Sequence, residues 1–249
     1  MNWSGFVMAI PSSRRARENN CVAAASILIR PKSHEPGIRA NNSLMSDPIG
    51  NETARVEAFS DGVFAIAITL LILEIRVPHG EAGGLWAGLL ALWPSYIAFL
   101  MSFIVILIMW VNHHELLRMV RSVNYPFLFA NGLLLLTVTF VPFPTAVLAA
   151  NLTTPDAKVA VAFYCATFVA NALLWNLLFT TMVRGGLLRR EVTAATVDTV
   201  RRTYYVGVLV YVLATGLAFV RPALGLILNA SLCVVWIRLG YRSESVASS

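Results

Sequence analysis

The sequence predicts an all-α membrane protein with six transmembrane helices per chain, and three observations carry that prediction. First, 57% of the 249 residues are hydrophobic and only 13% are charged, whereas a soluble domain is about 45–50% apolar and about 25% charged. Second, the apolar residues gather into runs of the roughly 20 helical residues needed to cross about 30 Å of hydrocarbon. Third, the basic residues sit almost entirely at alternate ends of those runs. A water-soluble enzyme of ordinary kind is excluded by the deficit of charge, and disorder of the bulk by the high hydrophobicity.

Residues 1–50 differ in kind, being rich in Asn, Ser, Pro and Arg. Their best apolar run, CVAAASILI, is too short to span a bilayer. A cleaved signal peptide would need a small-residue cleavage site behind it, and Arg30 and Lys32 stand there instead. A disordered cytoplasmic tail, or an extension upstream of a start near Met45, is expected. The first span covers Val56–Val77. The second runs from Leu85 to Val111 with Trp93-Pro94 near its start. The third covers Pro126–Ala150, with Pro142 and Pro144 at its outer end, and the fourth Val159–Val183. The last stretch, Tyr204–Leu239, is too long for one crossing. Arg221-Pro222 divides it, because proline cannot continue a helix and a charged neighbour belongs at an interface. Residues 51–242 thus form one six-span domain, with 243–249 a short cytoplasmic tail.

With six spans, 16 of the 19 basic residues fall on the side that carries both termini, leaving only Arg76, Lys158 and Arg221 on the other. The positive-inside rule then puts both termini in the cytoplasm of a multi-pass protein of the cell membrane. The net charge of +6 is a topology signal, and no nucleic-acid partner is expected. Cys21, Cys165 and Cys233 match no disulfide or metal spacing and read as small apolar fillers. No cofactor or metal is expected.

The first span carries the chemistry. In RVEAFSDGVFAIAITLLILEI an otherwise apolar helix holds Arg55, Glu57, Ser60 and Asp61 in its first two turns, where ionisable groups are costly and mark a functional or tightly packed site. Capping at the interface is the plainer reading. At about 100° per residue, with Ile66 at 0°, Leu70 falls at about 40°, Leu73 at about 340° and Thr69 at about 300°. These four make one stripe. Glu57 at about 180° and Asp61 at about 220° lie on the opposite face, while Arg55 returns to about 340°, about 16 Å below Ile66. An acid does not face lipid, so Asp61 is expected to face helices of its own chain. The stripe faces lipid, another subunit or a pore, and periodicity does not choose.

FSDGVFAIAITLL, with Arg55 six residues before Asp61, resembles the signature of the transmembrane protein 175 family of potassium channels. WVNHHELL at Trp110–Leu117 is similar to that family's stretch at the cytoplasmic end of span two. NGLLLLTVTFVPFPT at Asn131–Thr145 is similar to its third span. The resemblance implies a potassium-selective leak channel, a homotetramer because one chain holds one copy of the motif, with the first helices lining a central pore in the membrane lipid. It places Ile66 at the narrowest point, with Thr69 or Leu70 and Leu73 along the pathway; Thr69 is favoured for selectivity and Leu70 for packing. No Thr-Val-Gly-Tyr-Gly segment is present, so a carbonyl-ring filter of that type is excluded.

Trp110, Asn112, His113 and His114 are expected to join Arg55, Phe59, Ser60 and Asp61 in a polar network that holds the pore helix. Adjacent histidines point about 100° apart, which disfavours a shared metal, and a proton-sensitive gate through them is an alternative. Asn131, Asn171, Asn176 and Asn229 read as interhelical hydrogen-bonding groups, and Trp86, Trp93, Trp110, Tyr204 and Tyr205 as interfacial belt residues. The rival function is a secondary transporter or proton-coupled carrier, which would show repeats and broken midplane helices. No paired carboxylates, serine–histidine set or metal motif at midplane depth points to an enzyme.

Overall fold

The computed structural model of the protein describes residues 48–78 and 83–247; the expectations for the N-terminal tail lie outside them, apart from its last three residues. Among the described residues the chain is helical: α1 (Pro48–Leu70) with a 3-10 turn at Leu71–Glu74, α2 (Gly84–Ala91), α3 (Trp93–Arg118), α4 (Tyr125–Phe140), α5 (Pro142–Asn151), α6 (Ala157–Arg184), α7 (Ala194–Val220) and α8 (Pro222–Ala247). Five segments are long and apolar enough to cross a membrane: α1 with its 3-10 turn, α3, α4 joined to α5, α6 and α7. Beside these five, α8 contributes a shorter apolar stretch, Pro222–Val234.

Prolines set the helix starts. Pro94, Pro126 and Pro142 occupy first-turn positions, where the missing N–H costs nothing and φ is already helical. Asn124 adds a side-chain cap to α4, its Oδ1 accepting from the Phe127 amide at 3.0 Å, and Thr193 caps α7 through the Thr196 amide. At the α4–α5 junction Pro142 cannot donate back to Val138. The Val141 amide takes that carbonyl instead at 3.2 Å, so the third span is a helix in two pieces rather than one that ends at its prolines. Arg221, before Pro222, is extended at φ −141°, ψ 116°, which parts α7 from α8 where the sequence predicts the division.

The core forms around α3 and α6. Helix α1 packs on α3 and α4, and α6 on α4, α5, α7 and α8. Phe64 of α1, Leu71 of its 3-10 turn, Ile106 of α3, Leu134 of α4 and Phe168 and Leu178 of α6 are fully enclosed. Small residues bring α7 and α8 together: a Cβ on Gly225 would stand 2.9 Å from the Ala214 carbonyl and 3.0 Å from the Ala218 methyl. A buried hydroxyl group of three helices closes one half of the bundle, Ser102 meeting Thr145 at 2.7 Å and Tyr164 at 3.0 Å. At the opposite end the α3–α4 and α6–α7 loops are stitched by a bridge between Val120 and Leu188. There the Arg121 amide donates to Leu187 and the Arg189 amide to Met119.

Candidate functional site

Helix α1 has two faces with opposite environments. Ser60, Phe64, Ala67 and Leu71 point into the bundle and are buried. On the other side Ile66 is 60% exposed, Leu73 71% and Leu70 41% in the single chain, and Thr69 is exposed with them. The stripe isolated by periodicity is therefore the surface of α1 that its own chain leaves uncovered. The Thr69 hydroxyl donates to the Ile66 carbonyl at 2.9 Å. That bond spends the hydroxyl proton and leaves the oxygen able to accept.

Three polar contacts fix how far α1 is rotated about its axis. Asp61 Oδ1 accepts from the Trp110 indole N–H at 2.8 Å. One turn earlier, Glu57 Oε1 lies 2.7 Å from His114 Nδ1. Both partners come from α3, also one turn apart, so two carboxylates spaced i, i+4 meet two ring nitrogens spaced i, i+4. The third contact is buried. Asn131 of α4 donates through Nδ2 to Ser60 Oγ at 3.0 Å, and Ser60 passes its own proton to the Val56 carbonyl at 2.8 Å. Since the Asn131 amide nitrogen is spent on Ser60, its oxygen faces His113 Nε2 at 2.8 Å and must accept from it. The proton of neutral His113 is thereby assigned to Nε2, and Nδ1 is buried without a partner among the described residues. The His113 ring packs between Phe64 and Trp175, with centroids 5.3 and 6.0 Å away.

Of the residues the sequence groups into one network, the structure brings together Ser60, Asp61, Trp110, His113 and His114, in two separate clusters. Arg55 and Phe59 do not join them. Both lie on the exposed side of α1, Phe59 at 66%, because their positions of about 340° and about 20° fall within the stripe. Asn112 instead lines a cavity of about 40 Å³ with Asn171, Trp175, Tyr204, Tyr211 and Trp236. The structure also supplies partners that the sequence does not name. Asn131 is the link between Ser60 and His113, 71 residues from the first and 18 from the second, and Glu57 is the partner of His114. The period-four match of acids on one helix to ring nitrogens on another is the only signal that could have found the second.

Asn171 reaches Thr137 at 2.8 Å and Asn229 reaches the Cys165 sulfur at 3.8 Å across helices, while Asn176 bonds its own helix at Ala172. Trp86, Trp93 and Tyr205 are exposed. Tyr204 is not a belt residue: it packs among Trp175, Phe179 and Trp236. Among the described residues no group of three His, Cys, Asp or Glu side chains is placed to hold a metal ion.

Comparison with known proteins agrees with this architecture. The family described as "Endosomal/lysosomal potassium channel TMEM175" matches residues 55–142, from Arg55 to the α4–α5 junction. A protein of Chamaesiphon minutus named as a potassium channel is 48% identical over 181 residues, covering 71% of this chain and 89% of its own. A potassium channel of Streptomyces collinus is 47% identical over 189 residues, 75% of this chain and 92% of its own. A protein of Homo sapiens named as an endosomal/lysosomal proton channel is 41% identical over 87 residues, only 17% of its length. Among solved structures, the crystal structure of a lysosomal potassium-selective channel TMEM175 homolog from Chamaesiphon minutus superposes with a TM-score of 0.68 at 44% identity, covering 76% of this chain and 98% of that one.

Proposed function

The chain belongs to the TMEM175 family of ion channels, and from that membership we propose that it is a potassium-permeable leak channel whose pore is lined by α1 from each of four copies. The observation that carries the proposal is the division of α1. Glu57, Ser60 and Asp61 are engaged by α3 and α4, while Ile66, Thr69, Leu70 and Leu73 are left uncovered along one line. A fourfold ring closes such a line around an axis, and closed rotational symmetry is the rule for soluble homo-oligomers.

In that arrangement four Ile66 side chains form the narrowest ring. A ring of branched apolar side chains excludes water when narrow, so it sets a barrier by dewetting rather than by ligation. One turn outward, four Thr69 oxygens offer lone pairs to a partly dehydrated cation, since each hydroxyl proton is held by the Ile66 carbonyl. Leu70 packs beside the axis and Leu73 lines the wider mouth. The contacts to Trp110, His114 and Asn131 keep this geometry in register. Turning α1 by one residue, about 100°, would break all three and bring an alanine to the centre of the stripe. Asp61, Glu57, Trp110, His113 and His114 therefore support the pathway without lining it, Asn112 takes no part in that support, and Arg55 and Phe59 lie on the pore side below it. The basic residues at one end of the bundle put that end, with both termini, in the cytoplasm of a cell.

The test is Ile66→Asn in reconstituted vesicles. A hydrated ring should raise potassium flux several-fold and weaken discrimination against sodium. Unchanged flux and selectivity would remove Ile66 from the pathway. The proton-channel names of animal relatives motivate a second reading, proton conduction, which a pH gradient without potassium would reveal as passive acidification.

A further inference from the structure

The stitched loops assemble a basic platform that neither the pathway nor its support uses. The bridge between Val120 and Leu188 sets two short segments side by side. Arg118, Arg121, Arg189 and Arg190 lie within two residues of it, and Arg184 ends the helix that feeds it. The turn between is built for this approach. Gly186 takes φ +61°, and a Cβ on Gly185 would stand 2.9 Å from the Asn124 amide nitrogen of the facing loop. Arg189 is anchored by its Nε to the Val120 carbonyl at 3.2 Å, and its two terminal nitrogens make no hydrogen bond among the described residues. Arg118 pairs with Glu115 at 3.2 Å. Arg121, Arg184 and Arg190 are exposed and make no side-chain hydrogen bond or ion pair among the described residues. Against five arginines the platform holds only Glu115 and Glu191, so three positive charges stay uncompensated.

A second feature adjoins it. Helix α4 begins four residues after Arg121 and presents Tyr125, Phe129, Leu133, Leu136 and Phe140 outward, all exposed. Their spacing by three or four residues makes one apolar line that starts at the basic platform and runs along the span. We propose that platform and line together bind an anionic phospholipid of the adjoining leaflet, phosphate on the arginines and acyl chains along α4. A free phosphate would use the arginines alone and would gain nothing from the aromatic line. Guanidinium groups suit the task because they pair with phosphate oxygens in a fork.

The experiment is native mass spectrometry of the full chain in detergent, titrated separately with phosphatidylglycerol, cardiolipin and phosphatidylcholine. The wild type should favour the anionic lipids by about a hundredfold, the preference expected of three uncompensated charges at an anionic surface. R121Q/R184Q/R190Q should lose most of that preference while keeping its helical circular dichroism, and R121K/R184K/R190K should keep most of it. A wild type that binds the three lipids alike, a glutamine variant that keeps its preference, or equal loss in the lysine and glutamine variants would overturn the proposal. So would full displacement of bound lipid by inorganic phosphate. The pathway through α1 does not depend on this outcome, because none of these arginines touches it.

Discussion

Replacing Asn131 with leucine keeps the branching of the side chain and removes both of its hydrogen bonds. The consequences differ for the two partners. Ser60 still donates to the Val56 carbonyl and loses only a donor to its oxygen; in a membrane bundle such a bond averages about 0.6 kcal/mol. His113 loses the acceptor for its Nε2 proton, and its Nδ1 is already without a partner. A fully buried ring with neither nitrogen satisfied adds about 1–3 kcal/mol. The sum predicts that N131L costs about 2–4 kcal/mol. Because that cost is mostly an orphaned donor, removing the donor should recover it. N131L/H113L should be more stable than N131L by about 1–3 kcal/mol, since replacing both partners by apolar groups is nearly neutral. The assay is equilibrium unfolding of the purified protein in mixed micelles, followed by circular dichroism. A cost below about 0.5 kcal/mol for N131L, or a double variant no better than the single, would refute the reasoning, because ordinary surface substitutions stay within that range.

Other perturbations follow from named contacts. Asp61→Asn retains an acceptor for the Trp110 indole and should keep tetramer and flux, whereas Asp61→Ala should lower both; gel filtration with flux assay separates them. Gly225→Val would drive a side chain into the Ala214 carbonyl and Ala218, parting α7 from α8 at a cost of about 1–3 kcal/mol or more, read as a lower melting temperature. Leu73→Asn, at the wider mouth, should change potassium flux less than Ile66→Asn does, measured side by side in the same vesicles.

The helical class and the positions of the spans were legible because hydropathy and proline act locally. Arg221-Pro222 divides two helices because proline disfavours the helical region for the residue before it and an arginine there belongs at an interface; Arg221 is extended, whereas Val141 before Pro142 stays helical. The two faces of α1 were legible for a similar reason: a 3.6-residue period sorts Ile66 from Asp61 without knowledge of a partner. Partners themselves were not. Nothing near Ser60 in sequence announces Asn131, because an amide at that point in a span fits several pairings. Arg55 was grouped with Asp61 by proximity along the chain, although its angular position already set it on the other face. The hydroxyl cluster of Ser102, Thr145 and Tyr164 and the bridge between two loops are likewise products of packing. No local pattern encodes either.

The central claim, a passive potassium-preferring pore, is tested most directly by the reversal potential of the purified protein in a planar bilayer with potassium on one side and sodium on the other. The account predicts a steady current reversing towards the potassium equilibrium potential, in the wild type without any added gradient of protons. A current that reverses near zero, or one that appears only when a proton gradient is imposed, would contradict it.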